Sequence, residues 1–239
     1  MRRQKTRVGL GLTLGLAGLA TTVLLADDVL LRVEAEVPAT TPPALGVPLY
    51  DQTDSPAGAA FASQIFEAGS AAFDCSAADD FTVPAADIQW DLSEVAVLGG
   101  YFPGTGPTPL ADVEFLADAG GQPGAPICSY PGLVAGVDFI DDGIGNLTIT
   151  LPSVCSLAAG DYWLSVRADM DEAVGGQWRW QERSVQAGSA FAWENPGDGF
   201  GTGCTAWTTA GACGATAPDL LFSLGGVLVP VELLSISVD

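Results

Sequence analysis

From Leu49 onward the chain is cut into short apolar runs by clusters of glycine, proline and aspartate, and no window of helical length keeps a 3.6-residue apolar period. The clusters are turn chemistry. Phe-Pro-Gly-Thr-Gly-Pro at 102–107, Gly-Gly-Gln-Pro-Gly at 120–124, Asp-Asp-Gly at 141–143 and Gly-Asp-Gly at 197–199 supply positive-φ or proline-fixed backbone. Between them eleven runs read as strands: 80–83, 88–101, 111–118, 126–130, 133–140, 146–151, 161–168, 176–183, 190–193, 220–224 and 228–238. Residues 63–72 are the one helix candidate. Many short strands predict an all-β fold, a two-sheet antiparallel β-sandwich of jelly-roll-like form. An apolar fraction of 48% over 239 residues is ample for one core.

The ends differ from the middle. Residues 1–7 carry Arg2, Arg3, Lys5 and Arg7, and 8–26 is an uncharged apolar run, so 1–26 has the form of a signal peptide, the alternative being an uncleaved N-terminal anchor, since a run this long just spans a bilayer. Small-residue cleavage points follow Ala20, Ala26 or, at the latest, Ala35. The Pro/Thr/Ala-rich stretch 27–48 has little to bury and reads as a linker. The sandwich is expected over 49–226, with 227–239 a C-terminal strand or tail. The apolar segment 220–234 falls short of the roughly 20 residues a membrane span needs, and Pro230 and Glu232 interrupt it. After signal cleavage no membrane partner is expected.

Beyond residue 26 the chain holds four arginines (Arg32, Arg167, Arg179, Arg183) against 29 acids, a formal −25, with no lysine or histidine. Nucleic-acid binding needs cations to neutralise phosphates, so it is excluded, and so is an anionic membrane surface. The surplus favours cations, basic partners or plain solubility. Missing histidine and lysine also remove nucleophilic triads and amine chemistry.

All five cysteines follow the signal, where an oxidising compartment keeps disulfides. Cys204 and Cys213 bracket a small-residue loop and are expected to close it. Cys128 and Cys155 flank neighbouring predicted strands and form the second expected pair, with Cys75 left over.

Ala78-Asp79-Asp80-Phe81, Trp90 with Gly100-Tyr101, the run 157–166, Trp178-Arg179-Trp180, Trp193-Glu194-Asn195-Pro196 and Asp219-Leu220-Leu221-Phe222 resemble a family of secreted bacterial β-sandwich domains. Such domains stand upstream of C-terminal surface-sorting signals, and the ending 229–235 resembles that link. The resemblance implies a secreted, cell-surface sandwich and brings no activity with it. The chain through Asp239 has no sorting motif, which departs from the pattern.

Three sets of residues could carry function. Trp178 and Trp180 are two apart on a strand and share a face; with Trp193 they offer either core packing or a stacking platform for a carbohydrate. The acidic turns Asp138, Asp141 and Asp142, and the pair Asp79 and Asp80, offer hard oxygens for a structural calcium ion. Carboxylates Glu67, Glu94, Glu114, Glu172, Glu182 and Glu194 are the material for the alternative, a carboxylate-dependent glycoside hydrolase. The expectation is a non-catalytic secreted module, structural or binding a carbohydrate or other extracellular ligand.

Overall fold

The structure is a computed structural model that describes residues 48–229. The expected signal, the linker up to residue 47 and the tail from residue 230 lie outside the described residues.

The described chain is all-β, built from antiparallel sheets. The first sheet orders β1 (Pro48–Asp51), β16 (Phe222–Val229), β5 (Gln89–Val97), β10 (Leu147–Ala158) and β9 (Phe139–Asp141). The second orders β14 (Thr208–Thr209), β13 (Ala192–Glu194), β4 (Ser76–Val83), β11 (Gly160–Asp169), β7 (Leu110–Asp118) and β8 (Pro123–Val134). The two-residue β3 (Gln64–Ile65) joins β11 in parallel. The two larger sheets match the expected β-sandwich, and among the described residues a third sheet is added to them. A small third sheet centres on β12 (Trp178–Arg183), with β2 (Pro56–Ala62) on one side and β6 (Gly99–Tyr101) and β15 (Asp219–Leu220) on the other.

The third sheet explains where predicted strands break. The run 88–101 splits at Leu98, whose N–H donates to Leu221 O at 3.1 Å and whose carbonyl accepts from Gln181 N at 2.8 Å. The run 220–224 splits at Leu221, whose N–H donates to Gln181 O at 2.9 Å. Both strands pass from the first sheet to β12 at the same level, so no backbone group is orphaned at the crossing.

The two larger sheets share one core. In β10 buried Leu147, Ile149 and Leu151 alternate with exposed Thr148 and Thr150, and in β5 the period of two shifts after Leu92 at a bulge. Phe81 of β4 lies 6.0 Å from Tyr50 of β1 and 6.5 Å from Phe222 of β16. Each large apolar side chain so buried stabilises the fold by about 1.5–3 kcal/mol. The Cys128–Cys155 disulfide ties β8 to β10, one sheet to the other, across a separation of 27 residues. Cys204–Cys213 closes a loop of separation 9. By chain entropy the longer closure contributes about 3.5 kcal/mol and the shorter about 2.7 kcal/mol. Strand β8 contains Pro123, Pro126 and Pro131, which is tolerable because it is the edge of its sheet.

The helix candidate at 63–72 is corrected. Its start forms β3 and its end a 3-10 turn, Ala68–Phe73, because Gln64 exchanges backbone hydrogen bonds with Cys75 at 3.0 Å each way. Among the described residues the one α-helical turn is α1 (Glu172–Gly175).

Candidate functional site

The tryptophan platform is overturned. Trp178 and Trp180 are 0% exposed and Trp193 is 2% exposed, so no indole face is open to stack on a ring. Each indole N–H is spent inside the protein, on Gly145 O, Leu221 O and Ala62 O respectively, all at 2.8 Å. Trp178 and Trp180 pack together with ring centroids 6.3 Å apart, and Trp180 meets Phe222 edge-on at 6.1 Å. They do share one face of β12; it is the inner one.

Gln177 and, on that strand, Arg179 line a recess of about 210 Å³. Its apolar wall is Phe61, Phe200 and the buried Trp193, and Gln177, Arg179 and Thr202 supply polar atoms. The three aromatics interlock: Phe61 stands at 87° to Trp193 with centroids 5.2 Å apart, and Trp193 lies 5.7 Å from Phe200. Phe61 arrives from β2, whose Ala62 pairs with Arg179. Phe200 and Thr202 arrive on the loop after β13.

Asn195, wholly buried, builds that loop. Its Nδ2 donates to Ala72 O and Asp74 O, both at 2.8 Å, and its Oδ1 accepts from Phe200 N at 3.1 Å. Its own N–H donates to Cys204 O at 2.8 Å, and Cys204 is clamped to Cys213 at the rim of the recess. Gly199 must be glycine, since a Cβ there would come within 2.5 Å of Ala72 O. Sequence reasoning missed Phe61, Gln177, Phe200 and Asn195 as site residues because three distant segments bring them together. Arg179 was the available signal, one of so few cations in the chain.

The guanidinium of Arg179 is fixed in place. Its Nε donates to Gln177 Oε1 at 2.9 Å, and its carbon lies 5.6 Å from the centroid of Phe102.

The acidic candidates divide into a buried set and an exposed set. Asp79 is wholly buried and accepts hydrogen bonds from Gln52 Nε2 and Leu220 N, both at 2.7 Å, and from Asp80 N at 3.0 Å. Burial, then the neighbouring Asp219 carboxylate, raises its pKa well above the usual range. Asp219 is pushed up to about 6, chiefly by burial, with Asp80 adding and Arg183 opposing. Asp80 is also raised by burial, and its Oδ2 takes Ser189 N at 2.8 Å.

On the surface Asp138 accepts from Val134 N at 2.9 Å, Asp141 from Tyr101 Oη and Gly143 N, and Asp142 from Ile144 N and both nitrogens of Asn146. These carboxylates close their own turns and do not converge. Among the described residues no group of three or more His, Cys, Asp or Glu side chains is placed to hold a metal ion, so the calcium expectation finds no donor set in Asp79, Asp80, Asp138, Asp141 and Asp142.

Of the glutamates, Glu182 is buried and accepts from Thr216 N and Oγ1 and from Ala217 N, a structural role. Glu94 lines a recess at the β5–β16 seam. Glu67 and Glu172 line a second recess of about 310 Å³, but Ser70 Oγ and Glu172 N hydrogen-bond Glu67 and lower its pKa, the wrong direction for a general acid. Glu194 is raised by burial, with Arg167 opposing and Glu114 adding; Glu114 itself accepts from Ser129 Oγ.

No protein family, curated protein or solved structure matches the chain. Both expected disulfides are present, Cys128–Cys155 and Cys204–Cys213, and Cys75 is free and buried. Among the described residues no helix is long and apolar enough to cross a membrane.

Proposed function

We propose that the protein is a secreted, non-catalytic β-sandwich module that binds a carbohydrate in the recess between β2, β12 and the Asn195–Cys204 loop. The observation that carries this reading is the pairing of a rigid aromatic wall, Phe61 and Phe200, with the polar atoms of Gln177, Arg179 and Thr202 at one recess. Sugars need both features: an apolar surface for the CH face of the ring, and a few fixed donors and acceptors for its hydroxyls. The disulfide beside the recess and the buried Asn195 hold the wall before any ligand arrives, which cuts the ordering cost of binding. Disulfides fit an oxidising, extracellular setting.

The test is glycan binding by the full chain against a Phe61→Ala, Phe200→Ala double variant. Retention of a defined glycan by the native protein and its loss in the folded double variant is the expected result. Failure to retain any glycan, or equal retention by the variant, overturns the sugar site.

A second reading, hydrolysis, has one observation in its favour: the half-buried Glu194 with its raised pKa beside Glu114 on the outer face of the second sheet. Release of reducing ends by the native protein, abolished in Glu194→Gln, would establish it.

A further inference from the structure

We propose that the recess selects a sugar bearing a carboxylate, a hexuronate unit, and that Arg179 is the group that binds its anion. This rests on the sugar-site reading above and narrows it to a ligand class.

Two of the three arginines among the described residues have carboxylate partners: Arg167 Nη2 lies 2.9 Å from Asp112, and Arg183 Nη2 lies 2.8 Å from Asp54. Arg179 has none among the described residues, in a chain whose acids outnumber its bases 29 to 8. With acids so plentiful, a guanidinium left without one stands out. It is also not a loose surface side chain. Arg179 is half-buried, its Nε–H is committed to Gln177 Oε1, and its guanidinium carbon lies over the Phe102 ring. That leaves the Nη1 and Nη2 edge, the fork that receives a carboxylate through two parallel hydrogen bonds. Lysine could not present such a fork.

Size and surroundings set the rest. The recess holds about 210 Å³, below the roughly 300–1,000 Å³ of drug-sized sites, which suits one ring-sized unit. Phe61 and Phe200 give that ring an apolar wall, and Thr202 stands near for a hydroxyl. The chain's overall negative charge opposes an anion only at long range. Salt screens that field over about 8 Å at physiological strength, whereas a carboxylate in contact with Arg179 meets the guanidinium directly.

The experiment is ligand-observed NMR titration of the full chain with D-glucuronate and D-galacturonate, against D-glucose and D-galactose, with acetate as a carboxylate without a ring. The uronates are expected to bind about tenfold more tightly than the neutral sugars. Arg179→Gln and Arg179→Lys, each checked for an unchanged melting temperature, should both remove that preference. Neutral sugars binding as tightly as uronates would overturn the uronate inference and leave the sugar site standing. A preference that survives in Arg179→Gln, or acetate binding as tightly as the uronates, would also overturn it. Absence of binding by all four sugars would overturn both readings.

Discussion

Asp79 and Asp142 each accept three hydrogen bonds from the protein, yet they sit on opposite sides of the ordinary aspartate pKa. Asp79 is wholly buried between β4, β15 and Gln52, and desolvation raises it in spite of its donors. Asp142 stands in an exposed turn. What burial it has pushes it up, but the donors from Ile144 and Asn146 prevail and hold it below its usual value. The same donor count thus has opposite consequences, because water solvates the charged form in the turn and not in the interior. Asp79 is structural cement with an electrostatic cost, and Asp142 closes a loop.

The largest expected effect tests that contrast directly. Asp79→Ala leaves Leu220 N, and the one Gln52 Nε2 hydrogen that does not reach Leu220 O, buried without an acceptor and should cost about 2–5 kcal/mol in urea unfolding. Asp142→Ala should cost about 1 kcal/mol or less, since water replaces the carboxylate. Asp79→Asn should be milder than Asp79→Ala, because an amide oxygen still accepts and no charge is buried. Equal losses at the two positions would break the comparison.

A smaller effect concerns pH. Asp219 has its folded pKa raised from 3.8 to about 6, so the native state holds a proton that the unfolded chain has released. Stability should therefore fall as pH rises between about 4 and 6, by an amount on the order of 2 kcal/mol. Asp142, lowered in the fold, does the reverse: its contribution is present above 3.8 and is lost as pH falls below that value. Urea midpoints measured from pH 4 to 7 should decline, and Asp219→Asn should flatten the decline. A native profile that rises across this range would refute the assignment.

The smallest effect separates specific from general relief of the acidic surface. With no convergent carboxylate set in the turns, millimolar CaCl₂ and NaCl of matched ionic strength should raise the melting temperature equally. A rise in calcium alone, lost with a chelator and in Asp142→Ala, would place an ion in that turn.

The strands that could be read from the sequence are those whose residues carry their own pattern. The run at 111–118 is β7 (Leu110–Asp118), and 161–168 is β11 (Gly160–Asp169), both with apolar residues buried on the core face. Strand β2, Pro-Ala-Gly-Ala-Ala-Phe-Ala, was illegible because it lacks β-branched residues; its extended form comes from pairing with β12. The parity of Trp178 and Trp180 was legible, but parity does not say which face is inward. That choice is made by Phe222 and Leu221, more than 40 residues on. The recess was hidden for the same reason, since Phe61, Arg179 and Phe200 belong to segments that no local period connects.

Cys75 gives the molecule a clock. Its sulfur is the one thiol among cysteines otherwise held in disulfides, it is 2% exposed, and burial pushes its pKa up to about 12. In the closed protein it is neither reachable nor ionised, so a thiol reagent can react only after the segment bridging Gln64 and Cys75 has opened. At low reagent the labelling rate reports how often that segment is open; at saturating reagent it reports how fast it opens. One atom thereby turns the breathing of the short strand beside the second sheet into a measurable half-life, with no engineered probe.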